Sequence, residues 1–181
     1  MKRVFLALEL PDELQEALEV QQLMLPLPAR VDPESLHLTL VFLGDTPLPV
    51  LEAVHEAWLA LRLAPLGVQI EGFGLFGGAR PRLCYAAVAL NPTLMAMQAK
   101  VETAARRAGA EPEARRFHPH VTLGRFKPPK PEQAFRLERA VVAGAGFRPA
   151  PFTAREMVLY ESHLGRGGAH YEVLARYPFN H

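Results

Sequence analysis

His37-Leu38-Thr39-Leu40-Val41-Phe42-Leu43-Gly44 and Phe117-His118-Pro119-His120-Val121-Thr122-Leu123-Gly124-Arg125 decide how this chain is read. Each contains His-apolar-Thr-apolar, and nearly half of the 181 residues separates the copies. Side chains on a strand alternate between its faces with period two. His37 and Thr39 therefore share one face, as do His120 and Thr122. Leu38, Leu40, Val121 and Leu123 point the other way, into a core. A polar pair backed by an apolar pair suits a strand that lines a wet cleft. A single copy is weak, because such a histidine is often merely exposed. Two copies at matching places in two halves point to a duplicated unit and a pseudo-two-fold molecule.

On either side of these motifs, Lys2–Glu9 reads as a strand, and Pro11-Asp12-Glu13 opens a helix that ends at Pro26 and Pro28. The first motif strand is expected over 36–43, stopping at Gly44-Asp45. A helix is expected over 47–63, with Leu51, Val54, Trp58 and Leu61 on one face. Strands are expected over 66–75 and 82–90, separated by Gly77-Gly78. The helix over 92–108 turns Leu94, Met97, Val101 and Ala105 inward and stops at Gly109. The second motif strand covers 119–125, and a short helix covers 132–142. Strands over 153–161 and 169–177 flank a glycine-rich hairpin at 165–168. Strands and helices mix without a steady βαβ rhythm. The expected fold is α+β, with largely antiparallel sheets. The whole chain, 1–181, reads as one domain of two lobes.

Composition narrows the function. Apolar residues are 49% and charged residues 22%, which excludes a disordered or fibrous chain. The net charge of +1 excludes a polyanion binder that works by bulk charge, so nucleic-acid contact must come from a local patch. Arg115, Arg116, Arg125, Lys127 and Lys130 form such a patch, with Phe117 and Phe126 available for stacking. The alternative for that run is a solvated loop. Cys84 is the only cysteine, so neither an internal disulfide nor a cysteine metal site can form. No apolar run reaches the ~18 residues of a membrane span, and an acid at Glu9 comes too early for a signal peptide. A soluble, cytoplasmic protein is expected. Arginine supplies 16 of the 20 basic residues, proline reaches 17, and asparagine occurs only twice. That usage fits a heat-stable protein, although genome base composition produces the same bias.

Two imidazoles and two hydroxyls converging on one point suit phosphoester chemistry. In-line displacement at phosphorus needs a base on the attacking side and an acid on the leaving side. Histidine does either job near neutral pH. The threonine hydroxyls are placed to donate to non-bridging phosphate oxygens. Arg125, two residues beyond the second motif, adds a guanidinium for bidentate phosphate contact.

These segments resemble the paired signatures of the 2H phosphoesterases, and among them the RNA 2',3'-cyclic phosphodiesterases, also called 2'-5' RNA ligases. Leu159-Tyr160-Glu161-Ser162 with Gly168-Ala169-His170-Tyr171 resembles that family's C-terminal hairpin, and Pro81-Arg82 before a strand also fits. The resemblance runs from the first strand to the last and implies a bilobal pseudo-two-fold fold, with helices on the outside and a central cleft lined by the two motif strands. It implies hydrolysis of a terminal RNA 2',3'-cyclic phosphate to a 2'-phosphate, without metal or other cofactor. It implies that His120 accepts a proton from water and that His37 donates one to the departing 3' oxygen. Thr39, Thr122 and Arg125 would hold the phosphate. The site run backwards would join RNA ends through a 2'-5' bond. The partners implied are RNA ends, tRNA halves among them, and a monomer is expected. The near-symmetry of the motifs gives no physical basis for choosing acid from base. Two rivals stay open: another cyclic nucleotide or ADP-ribose cyclic phosphate as substrate, and an RNA-end binding module without turnover.

Other residues carry lesser expectations. His118 and His120 could share a zinc ion only with a further ligand, and His118 reads instead as a structural hydrogen-bonder. Arg82 and Tyr85 could reach a base or ribose, though Tyr85 fits a core equally well. Trp58 reads as helix core and His55 as surface. His163 and His170 flank the hairpin as exposed residues. His181 is terminal and expected to be disordered. Cys84 reads as buried and inert.

Overall fold

A computed structural model describes residues 1–180, so His181 lies outside the described residues. Among the described residues, nine strands and four helices match the expected α+β pattern. In chain order they are β1 (Lys2–Glu9), α1 (Asp12–Met24), β2 (His37–Thr46), α2 (Leu48–Leu59), β3 (Leu66–Val68), β4 (Ile70–Phe76) and β5 (Leu83–Val88). Then come α3 (Pro92–Arg107), β6 (His120–Arg125), α4 (Pro131–Ala143), β7 (Phe152–Ala154), β8 (Glu156–Gly165) and β9 (Gly168–Pro178). A 3-10 turn, Pro33–Ser35, leads into β2. Seven strands form one sheet in the order β4-β5-β6-β2-β1-β8-β9, and β3 pairs with β7 apart from it. All the pairings are antiparallel. No described helix is long and apolar enough to cross a membrane.

Helix and strand boundaries reflect local chemistry. Asn91 caps α3 by accepting from the Leu94 N–H at 3.0 Å, and Pro92 takes the first position, where its missing N–H costs nothing. Beyond its end, Gly109 adopts φ +102°, a conformation that favours glycine. Leu94, Met97, Val101 and Ala105 are all buried, as their spacing requires. Trp58 is buried between helices and donates its indole N–H to the Val101 carbonyl at 3.0 Å.

Four expectations change, the first being the strand expected over 153–161, which is split into β7 and β8 in different sheets. β2 does not stop at Gly44 but runs through it to Thr46, because Gly44 takes φ +69° and keeps pairing with Val4. The strand expected over 66–75 is two strands in different sheets, broken at Gln69, whose amide donates to the Pro149 carbonyl at 2.6 Å. His55 is not a free surface residue. It is half-buried, and its Nδ1 hydrogen-bonds the Tyr177 hydroxyl at 2.8 Å.

The motif strands β2 and β6 are neighbours at the middle of the large sheet, and Leu38 pairs with Val121. Both residues are fully buried in the main core, as are Leu123 and, nearly so, Leu40. Helices α1 and α3 supply Leu18, Leu94 and Val101 to the same core. The opposite face of the sheet is left to the histidines.

Candidate active site

Antiparallel pairing centred on Leu38 and Val121 places His37 across from Thr122 and Thr39 across from His120. One His-Thr pair thus lies beside the other with opposite chain direction. The next strands out extend this face. In β5, Ala87 lies opposite His120 and Tyr85 opposite Thr122. In β1, Glu9 lies opposite His37 and Ala7 opposite Thr39.

Each motif strand then carries a β-bulge at the same place. On β6, Thr122 pairs with Tyr85 and Gly124 with Cys84, so Leu123 is an extra residue. On β2, Thr39 pairs with Ala7 and Val41 with Leu6, so Leu40 is an extra residue. Leu40 and Leu123 are the fourth residues of their motifs. The bulge reverses the alternation beyond it. By simple period two, Arg125 would share the core face with Val121 and Leu123. The bulge brings it opposite Leu83, on the face of Tyr85, Thr122 and His120. The equivalent residue after the other bulge is Phe42, which pairs with Phe5 on the face of His37.

Both imidazoles are oriented in one way. His37 Nδ1 donates to the Ser35 carbonyl at 2.7 Å, and His120 Nδ1 donates to the His118 carbonyl at 2.6 Å. A carbonyl only accepts, so Nδ1 carries the hydrogen and Nε2 is the acceptor nitrogen in each neutral ring. His37 Nε2 accepts from the Thr39 hydroxyl at 2.9 Å. The His118 contribution expected from its ring comes from its backbone carbonyl instead.

Aromatic rings wall each histidine. Phe5 lies 4.8 Å from the His37 ring and Tyr171 meets it edge-on at 5.4 Å, with Tyr160 stacked on Phe5 at 5.3 Å. Phe76 and Tyr85 meet the His120 ring at 5.2 and 5.3 Å, stacked on each other at 4.4 Å. Tyr85 lies over Gly74, and any side chain there would collide with its ring. Tyr85 is thus both buried and on the site face. Phe5, Phe76, Tyr160 and Tyr171 were not singled out as site residues from sequence. Phe5 lies on β1, next to a motif strand, and Tyr160 and Tyr171 lie in the hairpin segments that carry the family resemblance, whereas Phe76 on β4 had no signal.

Burial sets the electrostatics. It pushes His37 down to about 4, helped by the charges of Arg125 and His120. It also lowers His120, with His118, Arg125 and Arg115 adding positive field. Arg125 is exposed yet bears on both imidazoles and on Tyr171. Glu9, beside His37, is engaged elsewhere: Arg176 donates to it at 2.7 Å and the Tyr160 hydroxyl at 3.0 Å. Cys84 is fully buried on the core side, which pushes its thiol up to about 12 and leaves it inert. His163 and His170 are exposed, as expected.

Residues 10–166 match the family described as the 2'-5' RNA ligase superfamily. The chain belongs to that superfamily. Two curated relatives are both named RNA 2',3'-cyclic phosphodiesterase. The one from Aeropyrum pernix is 33% identical over 99 residues, covering 54% of this chain and 56% of the relative. The one from Geobacillus stearothermophilus is 30% identical over 193 residues, covering 98% of this chain and 58% of the relative. The chain therefore spans little more than half the length of these two relatives. A crystal structure of E. coli LigT complexed with 3'-AMP has the same fold, with a TM-score of 0.82, 24% identity and 99% of each chain covered.

Proposed function

We propose that this chain hydrolyses the 2',3'-cyclic phosphate at an RNA end to a 2'-phosphate by two-histidine acid/base catalysis. The observation that carries the reading is two imidazoles with the same tautomer, side by side on β2 and β6, sharing one face with Thr39, Thr122 and Arg125. Membership in the superfamily and the names of the relatives support it.

In this reaction water attacks phosphorus and gives its proton to His120 Nε2. The bond from phosphorus to the 3' oxygen breaks, and His37 Nε2 supplies that oxygen's proton. The products are a 2'-phosphate and a free 3'-hydroxyl. The donor and acceptor roles are those of the family resemblance. His37 suits the donor role because an imidazolium with so low a pKa gives up its proton readily. The negative phosphate raises that pKa in the complex and so loads the proton. Once His37 Nε2 is protonated, the Thr39 hydroxyl no longer has an acceptor there and turns to a phosphate oxygen. Arg125 and Thr122 hold the other non-bridging oxygens and offset the charge that builds in the transition state.

The domain reading is one domain of two lobes, joined where β2 meets β6. The partners are RNA ends, tRNA halves among them, met by a cytoplasmic monomer; reverse 2'-5' ligation belongs to the same site. Phosphorus NMR of EDTA-treated protein with a short RNA bearing the cyclic phosphate tests the reading. Conversion to the 2'-phosphate is expected. Conversion to the 3'-phosphate would overturn the leaving group, and binding without turnover would leave an RNA-end binding module.

A further inference from the structure

The two bulges are held from below in the same way. Gln22 of α1 donates its Nε2 to the Leu123 carbonyl at 3.0 Å and to the Val31 carbonyl at 2.8 Å. The Val31 N–H also donates to the Leu123 carbonyl at 2.9 Å. Gln98 of α3 donates its Nε2 to the Leu40 carbonyl at 3.1 Å and to Glu102 at 2.9 Å. Leu123 and Leu40 are the extra residues of the two bulges. The arrangement is crossed. A helix from the first half of the chain ties the second motif strand, and a helix from the second half ties the first.

Both glutamines are buried, with relative exposures of 1% for Gln22 and 6% for Gln98. They stand on helix faces that otherwise bury leucine, valine, methionine and alanine. Burying an amide is costly unless its groups are bonded, and a buried carbonyl left without a donor is costly too. At Gln22 the offset is incomplete: its Oε1 is buried and has no partner among the described residues. An extra residue in a bulge stands outside the regular ladder, so its carbonyl needs a donor from elsewhere. Gln98 supplies it at Leu40, and at Leu123 Gln22 supplies it together with the Val31 N–H. Gly124 completes the fit at β6, where a side chain would collide with the Ala29 carbonyl.

We propose that Gln22 and Gln98 are positioning residues, each fixing the bulge that aims the site residue after its motif. Gln22 acts through Leu123 on Arg125, and Gln98 acts through Leu40 on Phe42. The inference rests on the reading of Arg125 as a phosphate ligand.

A double-mutant cycle tests it on the full chain, with the cyclic-phosphate RNA as substrate. Gln22→Met keeps the side-chain length and removes the donor. Arg125→Ala is expected to lower kcat/KM by ~10²–10³-fold. Gln22→Met is expected to lower it ~10-fold in the wild-type background, as a small misplacement does. In the Arg125→Ala background the same change should cost less than ~3-fold, because the residue it aims is gone. Gln98→Met should be additive with Arg125→Ala. Melting temperatures and proton–nitrogen NMR spectra of each variant establish that the folded protein is being compared.

Additive losses for Gln22→Met overturn the proposal. So does a lowered Tm with unchanged kinetic constants, which is what a purely structural role gives. Coupling of Gln98→Met to Arg125→Ala also overturns it. If Gln22→Met does not fold, Gln22→Asn carries the same comparison, since it keeps the amide but draws it back by one methylene. Absence of turnover in the wild type would instead defeat the reading of the site itself.

Discussion

Around His37 the rings are Phe5, Tyr160 and Tyr171; around His120 they are Phe76, Tyr85 and His118. Both histidines tie Nδ1 to a carbonyl two residues earlier in the chain, and both strands bulge at the fourth motif residue. The frames are alike, but the side chain presented beyond each bulge differs. On β6 it is the guanidinium of Arg125. On β2 it is Phe42, with Arg3 placed over its ring at 5.1 Å. The two frames place like groups in like positions, and the residue after each bulge is where they differ. Under the proposed function, the guanidinium of Arg125 holds phosphate on the β6 side and Phe42 supplies only packing on the β2 side.

The largest expected effect is on the histidines. His37→Ala and His120→Ala should each cost ~10²–10⁴-fold in kcat, with the fold unchanged by circular dichroism. Near-equal activity of either variant and the wild type would break the pairing. The pH dependence sharpens it. In the free protein His37 must be protonated although its pKa is about 4, and His120 must be neutral, which burial favours by lowering its pKa as well. The optimum of kcat/KM should therefore lie on the acid side of the ordinary histidine value of 6.5. Bound phosphate stabilises the imidazolium, so the optimum of kcat should lie at higher pH than that of kcat/KM. Coincident profiles would mean that substrate charge does not load the proton.

Next in size is the comparison of the two residues after the bulges. Arg125→Ala should lower kcat by ~10²–10³-fold, as loss of one donor to a developing anion does. Phe42→Ala should leave kcat within a factor of about ten, because it removes packing and no hydrogen bond to phosphate. Steady-state kinetics on the same RNA gives both numbers. Equal losses would show that the two halves are not divided in this way.

The sequence showed the polar-apolar alternation of both motifs, and with it the faces of His37, Thr39, His120 and Thr122. It also suggested Arg125 from its place two residues beyond the second motif, although strict alternation turns that side chain into the core. A bulge has no signature of its own in Leu123-Gly124 or Leu40-Val41, because it depends on register against β5 and β1. The ring walls were hidden for the same reason: Phe5, Phe76, Tyr160 and Tyr171 come from four other strands. Gly44-Asp45 looked like a stop, yet positive φ at Gly44 lets β2 continue. His55 looked exposed beside Glu52 and Glu56 until β9 brought Tyr177 against it.

The smallest effect expected is on stability, and it separates the histidines from the carboxylates. Folding lowers the pKa of His37, so the native state binds this proton less readily than the unfolded chain. Above 6.5 both states are neutral and the contribution is fully present. As pH falls from 6.5 toward 4 the unfolded state gains the proton first, and stability is lost. Glu9 behaves differently. Arg176 holds its carboxylate below the usual 4.5, so its contribution is lost only at lower pH. Urea melts at pH 7 and pH 5 therefore report chiefly on imidazoles. His37→Gln should flatten the fall in unfolding free energy between those two values, and His120→Gln should flatten it further when added. If both variants lose stability in parallel with the wild type, folding does not depress the two pKa values.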